Sequence, residues 1–171
     1  LGYHSDSETE IFPDLKKFIL ARVNEFDQIS DDRKLMLDRL AEHINQSVSA
    51  RQPCRLVFVC THNSRRSHLS QAWAQVAAAH FEIPGVECFS GGTEATAFNS
   101  RTVAAMRRAG FEIKVTKGEE SAANPKYQVR FKGTGKPLEC FSKRTNDAPN
   151  PQQDFAAIMT CSEADKACPT V

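Results

Sequence analysis

LVFVCTHNSRRSHLSQAW, residues 56–73, changes character twice. Apolar residues run up to Cys60, a polar and basic run follows from Thr61 to Ser67, and then apolar residues return at helical spacing: Leu69, Ala72, Trp73, Val76 and Ala77. The first part is the pattern of a buried strand, Arg55 to Cys60, and the last is the inward face of a helix. A buried strand, a tight polar loop and a helix together form the opening half of a βαβ unit. The pattern continues outward. Val86 to Ser90 is expected as a second strand closed by Gly91-Gly92. Asn99 or Ser100 caps a further helix that runs to about Gly110, where a C-terminal glycine cap belongs. Phe155 to Cys161 is a third, alanine-diluted strand. Strand, helix, strand, helix, strand predicts an α/β fold with a parallel sheet.

Upstream, Phe12 to Phe26 carries a helical stripe at 15, 18, 19, 23 and 26, with Pro13 in the first turn. Ser30 is expected to cap a second helix, with Asp31 and Asp32 in the first turn and Met36, Leu37, Leu40, Ile44 and Val48 as its stripe. Both helices end before Gln52-Pro53, which divides an N-terminal helical extension, 1–53, from an α/β domain, 54–171. The extension either packs on the main domain or forms a partner surface. An insertion at about 114–150 contains Tyr127 to Phe131 and Leu138 to Ser142 around the turn-rich KGTGKP, the pattern of a β-hairpin.

With 171 residues, 40% hydrophobic and 25% charged, the chain is long enough to bury a real core and has an ordinary globular composition. No apolar run approaches the roughly 20 residues of a membrane helix, and no signal-peptide pattern opens the chain, so no membrane partner and a cytoplasmic location are expected. Leu1 rather than Met begins the sequence, and Leu1 to Glu8 is expected to be a flexible tail. Net charge is +1, split into an acidic first 53 residues and a basic remainder. The stretch from Lys114 to Arg144 holds eight basic and three acidic residues and is read as a solvated insertion. Nucleic acid is not the expected partner, since no aromatic ladder accompanies those charges. Six cysteines without a secretory signal suggest catalytic, redox or metal chemistry more than a disulfide framework.

In a parallel α/β sheet, ligands bind beyond the carboxyl ends of the strands, which is where Cys60 falls. The helix that starts after it offers free N–H groups and a positive dipole. These bind oxyanions and stabilise a thiolate. Arg66 can meet a tetrahedral anion with a bidentate guanidinium, Ser67 can donate to the Cys60 sulfur, and Asn63 tolerates the left-handed backbone a tight cradle needs. The implied chemistry is attack by Cys60 on an oxyanion held by loop amides and Arg66; the plainer alternative is a buried structural cysteine.

A second pair of thiols lies at IMTCSEADKACP, where Cys161 ends the third strand and Cys168 follows seven positions later. If the two strands are neighbours, Cys60 and Cys161 can meet, and three thiols become available for disulfide exchange. Alternatively Cys161 is a small core residue and Cys168 a surface thiol. No C-x2-C pair or matching histidine spacing suggests zinc, so no metal or cofactor is expected, and His62 and His68 are read as rim and helix-surface residues. Cys54 and Cys88 are read as packing residues and Cys140 as part of the hairpin.

VFVCTHNSRRS resembles the phosphate-binding loop of the low-molecular-weight protein tyrosine phosphatase superfamily, usually C-x-G-N-x-C-R-S, and FSGGTEATAFNSRTVAAMRRAGFEI resembles that family's next strand, loop and helix. The resemblance covers roughly 55–113 and 155–171. It departs from the pattern at His62, where glycine is usual, and at Arg65, where a second cysteine is usual. It implies a three-layer sandwich around a four-stranded parallel sheet, with Thr61, His62, Asn63, Ser64 and Arg65 forming the oxyanion-binding loop. TCSEADKACP resembles the redox segment of the thioredoxin-coupled arsenate reductase branch, T-L-C-x-x-A-D-x-x-C-P, which the ordinary phosphatases lack. What that implies is reduction of arsenate to arsenite by Cys60, Cys161 and Cys168 in turn, with Arg66 and Ser67 assisting and thioredoxin as reductant, and 163–165 in a mobile or partly helical segment. The family's general-acid aspartate, fourth strand and last helix are expected beyond Val171; Asp147-Ala148-Pro149 has the wrong spacing for the acid. A phosphatase using Cys60 and Arg66 alone, and a non-catalytic oxyanion-binding module, remain the alternatives.

Overall fold

A computed structural model describes residues 10–167; the Leu1 to Glu8 tail and Cys168 lie outside that range. The fold is α/β, with helices on both faces of a parallel sheet. Its central strand is β1 (Cys54–Cys60), flanked by β2 (Val86–Gly92) on one side and β6 (Ala156–Met159) on the other. The registers run from Cys54 opposite Val86 to Cys60 opposite Gly92, and from Leu56 opposite Ala156 to Val59 opposite Met159. All three strands therefore end at one edge.

Alternation along β1 divides the core. Cys54, Leu56 and Phe58 face α3 (Arg66–His80) and α2 (Asp31–Ser49), through Ala74, Ala78, Leu40 and Ile44. Val57 and Val59 face the opposite way, against Ala164 of α5 (Ser162–Ala167) and the side chains of Phe89, Phe155 and Met159. β2 is an edge strand, and α3 blunts it. Gln75 both donates to the Val86 carbonyl and accepts from the Cys88 N–H, each at 3.0 Å, and Gln71 donates to the Cys88 carbonyl at 3.0 Å.

The other side of α3 faces a second, larger core. There Ala72 and Val76 meet α1 (Pro13–Val23) through Leu15 and Ile19, and α4 (Ser100–Arg108) through Val103 and Met106. That core is closed by an antiparallel sheet of β3 (Glu112–Val115), β4 (Tyr127–Arg130) and β5 (Leu138–Cys140). Asn99 caps α4 by accepting from the Arg101 N–H at 3.0 Å, and Gly110 follows with φ +106°, a conformation that favours glycine.

Four expectations change in detail. The inserted hairpin gains a third strand, β3, whose Glu112-Ile113-Lys114-Val115 alternates strictly but over only four residues. Ala77 is exposed, because α3 turns its 72 and 76 stripe, not position 77, to the second core. The stripe of α2 is only half used: Leu40 and Ile44 reach the sheet, while Met36 and Leu37 are 62% and 44% exposed where the helix runs past the domain. Ser30 stands at the N-cap of α2 without a side-chain capping bond. Between the two roles open for the N-terminal helices, α1 packs on the domain, with Leu15 wholly buried.

This placement separates two leucines. Leu15→Ala should cost about 2–5 kcal/mol, a buried truncation, whereas Leu35→Ala, at a side chain 62% exposed, should stay within about 0.5 kcal/mol. Urea unfolding followed by the fluorescence of Trp73, which stacks on Phe18 at 5.2 Å, measures both. Equal, small effects would remove α1 from the core.

Candidate active site

The parallel register brings Cys60, Gly92 and the end of β6 to one edge, and the 61–65 loop closes over it before α3 begins at Arg66. The loop turns through Asn63, whose φ of +42° lies in the left-handed region that asparagine tolerates. It also needs Gly92: a Cβ there would lie 2.7 Å from both the Asn63 nitrogen and the Thr61 carbonyl oxygen.

Loop carbonyls are held from outside. Cys60 O accepts from Thr93 N–H at 3.2 Å, Thr61 O from Glu94 N–H at 2.8 Å, and Ser64 O from Asn99 N–H at 2.9 Å. A trans peptide points its N–H opposite its C=O, so these three bonds orient the amides of Thr61, His62 and Arg65, the residues that follow each carbonyl. The N–H groups of Ser67, Ser64 and Asn63 face the Cys60 sulfur. The Ser67 hydroxyl lies 3.1 Å from that sulfur and accepts from the Asn63 side-chain amide at 2.8 Å, which leaves its proton for the sulfur. Asn63 is itself fixed, its Oδ1 accepting from Lys143 N–H at 3.0 Å. Asn63 and Ser67 are fully buried.

These contacts decide the state of Cys60. Burial acts to raise its pKa, but the Ser67 hydroxyl and the amides of Ser67, Ser64 and Asn63 together hold the thiol below its ordinary value. Cys161, at the end of β6, meets Thr61 Oγ1 at 3.7 Å. Slight burial would raise its pKa too; the Ala164 amide, Thr61 and the positive Arg66 outweigh that and lower it. Cys54, Cys88 and Cys140 go the other way: burial pushes all three up, Cys88 and Cys140 to about 12. All five described cysteines are free thiols, and only Cys60 and Cys161 are shifted toward thiolate.

A cavity of about 220 Å³ opens above Cys60, lined by His62, Ser64, Arg65, Arg66 and Thr96. His62 sits at the rim, 3.5 Å from Glu94. The site thus brings together Cys60, the 61–65 loop, Arg66, Ser67 and Cys161; Cys168 lies outside the described residues. His68 is not on the helix surface. It is fully buried, 4.1 Å from the Phe98 ring and 3.1 Å from Ser90 Oγ, and burial together with the charge of Lys143 lowers its pKa to about 3, so the ring is neutral. Its spacing of four and eight from Ala72 and Val76 is the signal for that burial. Thr96 and Ser142, which also contact the loop, carry no sequence signal, since distant chain segments bring them there. Asp147 is turned to its own turn, accepting from Arg144 N–H at 2.9 Å. Among the described residues no cluster of His, Cys, Asp and Glu is arranged to hold a metal, and no helix is long and apolar enough to cross a membrane.

Comparison with family models, with curated proteins and with solved structures finds no match to this chain.

Ser67→Ala removes the side-chain donor to the sulfur. The midpoint pH for alkylation of Cys60 by iodoacetamide, followed on the Cys60 peptide by mass spectrometry, should rise by about one unit or more. At pH values below the midpoint the rate should then fall roughly tenfold. An unmoved midpoint would mean that the amides alone set the thiolate.

Proposed function

We propose that the chain reduces arsenate to arsenite by a thiol relay that begins at Cys60. The observation that carries this reading is the contact between Cys161 and Thr61 at 3.7 Å, which sets a second low-pKa thiol against the loop that surrounds the first. A hydrolytic site needs one nucleophile and has no use for that neighbour. The cavity lining supports a small inorganic oxyanion: its side chains are polar or cationic, with no apolar wall for an aryl group among the described residues.

The Cys60 thiolate attacks arsenic while the loop amides and the Arg66 guanidinium take up the oxyanion charge. An arsenic–sulfur bond forms, and one oxygen leaves as water after protonation. Cys161 thiolate then attacks Cys60 Sγ. The sulfur–arsenic electron pair passes to arsenic, which departs as arsenite, and a Cys60–Cys161 disulfide remains. Cys168 thiolate attacks Cys161 Sγ, returns Cys60 as thiolate and leaves a Cys161–Cys168 disulfide, which thioredoxin reduces with its own dithiol. The last exchange requires α5 to rearrange, since that helix, Ser162–Ala167, spans the residues between the two cysteines. The scheme belongs to the thioredoxin-coupled branch of the low-molecular-weight phosphatase superfamily, and a relay that must be re-reduced suits the cytoplasm.

Arsenite release from arsenate, with thioredoxin, thioredoxin reductase and NADPH supplying electrons, tests the proposal. Turnover should vanish in Cys60→Ser and Cys161→Ser and stop after one equivalent in Cys168→Ala. Hydrolysis of an aryl phosphate that survives Cys161→Ser, with no arsenite formed by the unmodified chain, would make the site a phosphatase instead.

A further inference from the structure

We propose that Ser142, on the segment returning from the antiparallel sheet, is a positioning residue of the oxyanion loop: its hydroxyl holds the His62 carbonyl outward and so aims the Asn63 amide at the Cys60 sulfur. The inference rests on the reading of Cys60 as an activated thiol and assigns part of that activation to the insertion.

Ser142 is 2% exposed. Its oxygen accepts from Thr96 N–H at 2.7 Å, which commits its own proton elsewhere, and the one acceptor taking it is the His62 carbonyl, also at 2.7 Å. That carbonyl shares a peptide with the Asn63 N–H, one of the three amides facing Cys60. Because carbonyl and N–H point in opposite directions, fixing one fixes the other. The other outward carbonyls of the loop, at Cys60, Thr61 and Ser64, are held by backbone N–H groups of Thr93, Glu94 and Asn99. His62 alone among these four depends on side chains, the second being Thr96 Oγ1 at a longer 3.3 Å.

Ser142 is itself clamped. Asn124 donates to its carbonyl at 2.7 Å and accepts from its N–H at 3.1 Å. The next residue continues the grip: Lys143 N–H donates to Asn63 Oδ1 at 3.0 Å, and Gly92 N–H to the Lys143 carbonyl at 2.9 Å. These backbone and Asn124 contacts survive truncation of the Ser142 side chain. The titratable and charged side chains around the cavity, His62, Arg65 and Arg66, with Glu94 3.5 Å from His62, are left in place by the substitution, as is Lys143, whose Nζ donates to the Phe141 carbonyl at 3.5 Å.

The experiment compares the pH dependence of Cys60 and Cys161 alkylation by iodoacetamide, resolved by peptide mass spectrometry, in the unmodified chain, Ser142→Ala and Ser142→Cys. The alanine variant should raise the Cys60 midpoint by about one pH unit, roughly a tenfold loss of rate at pH values below the midpoint, and leave Cys161 where it was. The cysteine variant keeps a weaker donor of similar size, retains the packing even where alanine does not, and should fall between. A Cys60 midpoint unchanged in both variants overturns the role of Ser142 while leaving the activated thiol intact. An ordinary midpoint in the unmodified chain overturns the activated thiol and this inference with it.

Discussion

A thiolate at the end of a buried strand is stabilised where amides and hydroxyls face it, and here the loop that carries those groups is held from behind through its carbonyls. That arrangement organises the molecule around Cys60. The β2–α4 connection supplies Thr93, Glu94 and Asn99 as backbone donors, and the insertion supplies Ser142. Gly92 is bare because any side chain would occupy the space of the Asn63 and Thr61 backbone. The buried polar groups behind the loop belong to the cradle: Asn63, Ser67, His68, Ser90, Ser142 and Lys143 are all nearly or wholly inaccessible. In so dense a setting each must find a partner or remain neutral, and His68 does the latter.

The same physics sorts the cysteines without any difference in their intrinsic chemistry. Cys54, Cys88 and Cys60 all lie on adjacent strands of one sheet and are all buried. Two of them face apolar side chains and are driven toward the thiol. Cys60 lies at the strand end, where the ladder stops and unpaired amides begin. Position along the strand, more than depth, determines which one can act as a nucleophile.

Much of this was legible in the residues. The switch from an unbroken apolar run to a polar loop and then to helical spacing located β1, the loop and α3, and Asn63 and Gly110 marked the left-handed turns through their residue types. His68 departs from the expected helix surface because its spacing from Ala72 and Val76, more than the polarity of histidine, decides its burial. α2 departs in the opposite sense: its stripe is real, but periodicity cannot say how far a neighbouring surface extends. Ser142 is beyond the reach of sequence for another reason: its role arises from a pairing across the chain, and one sequence records no partner for a serine 80 positions from the carbonyl it holds.

That separation also sets an order of events during synthesis. Cys60 and the residues of its loop emerge early, yet the bonds from Ser142 and Lys143 that fix the loop each span 80 residues. β6, which pairs with β1 beside Cys60, comes later still. Long-range closures of this kind form late in folding. A nascent chain on the ribosome therefore carries Cys60 as an unremarkable thiol, and reactivity arrives only with the finished domain.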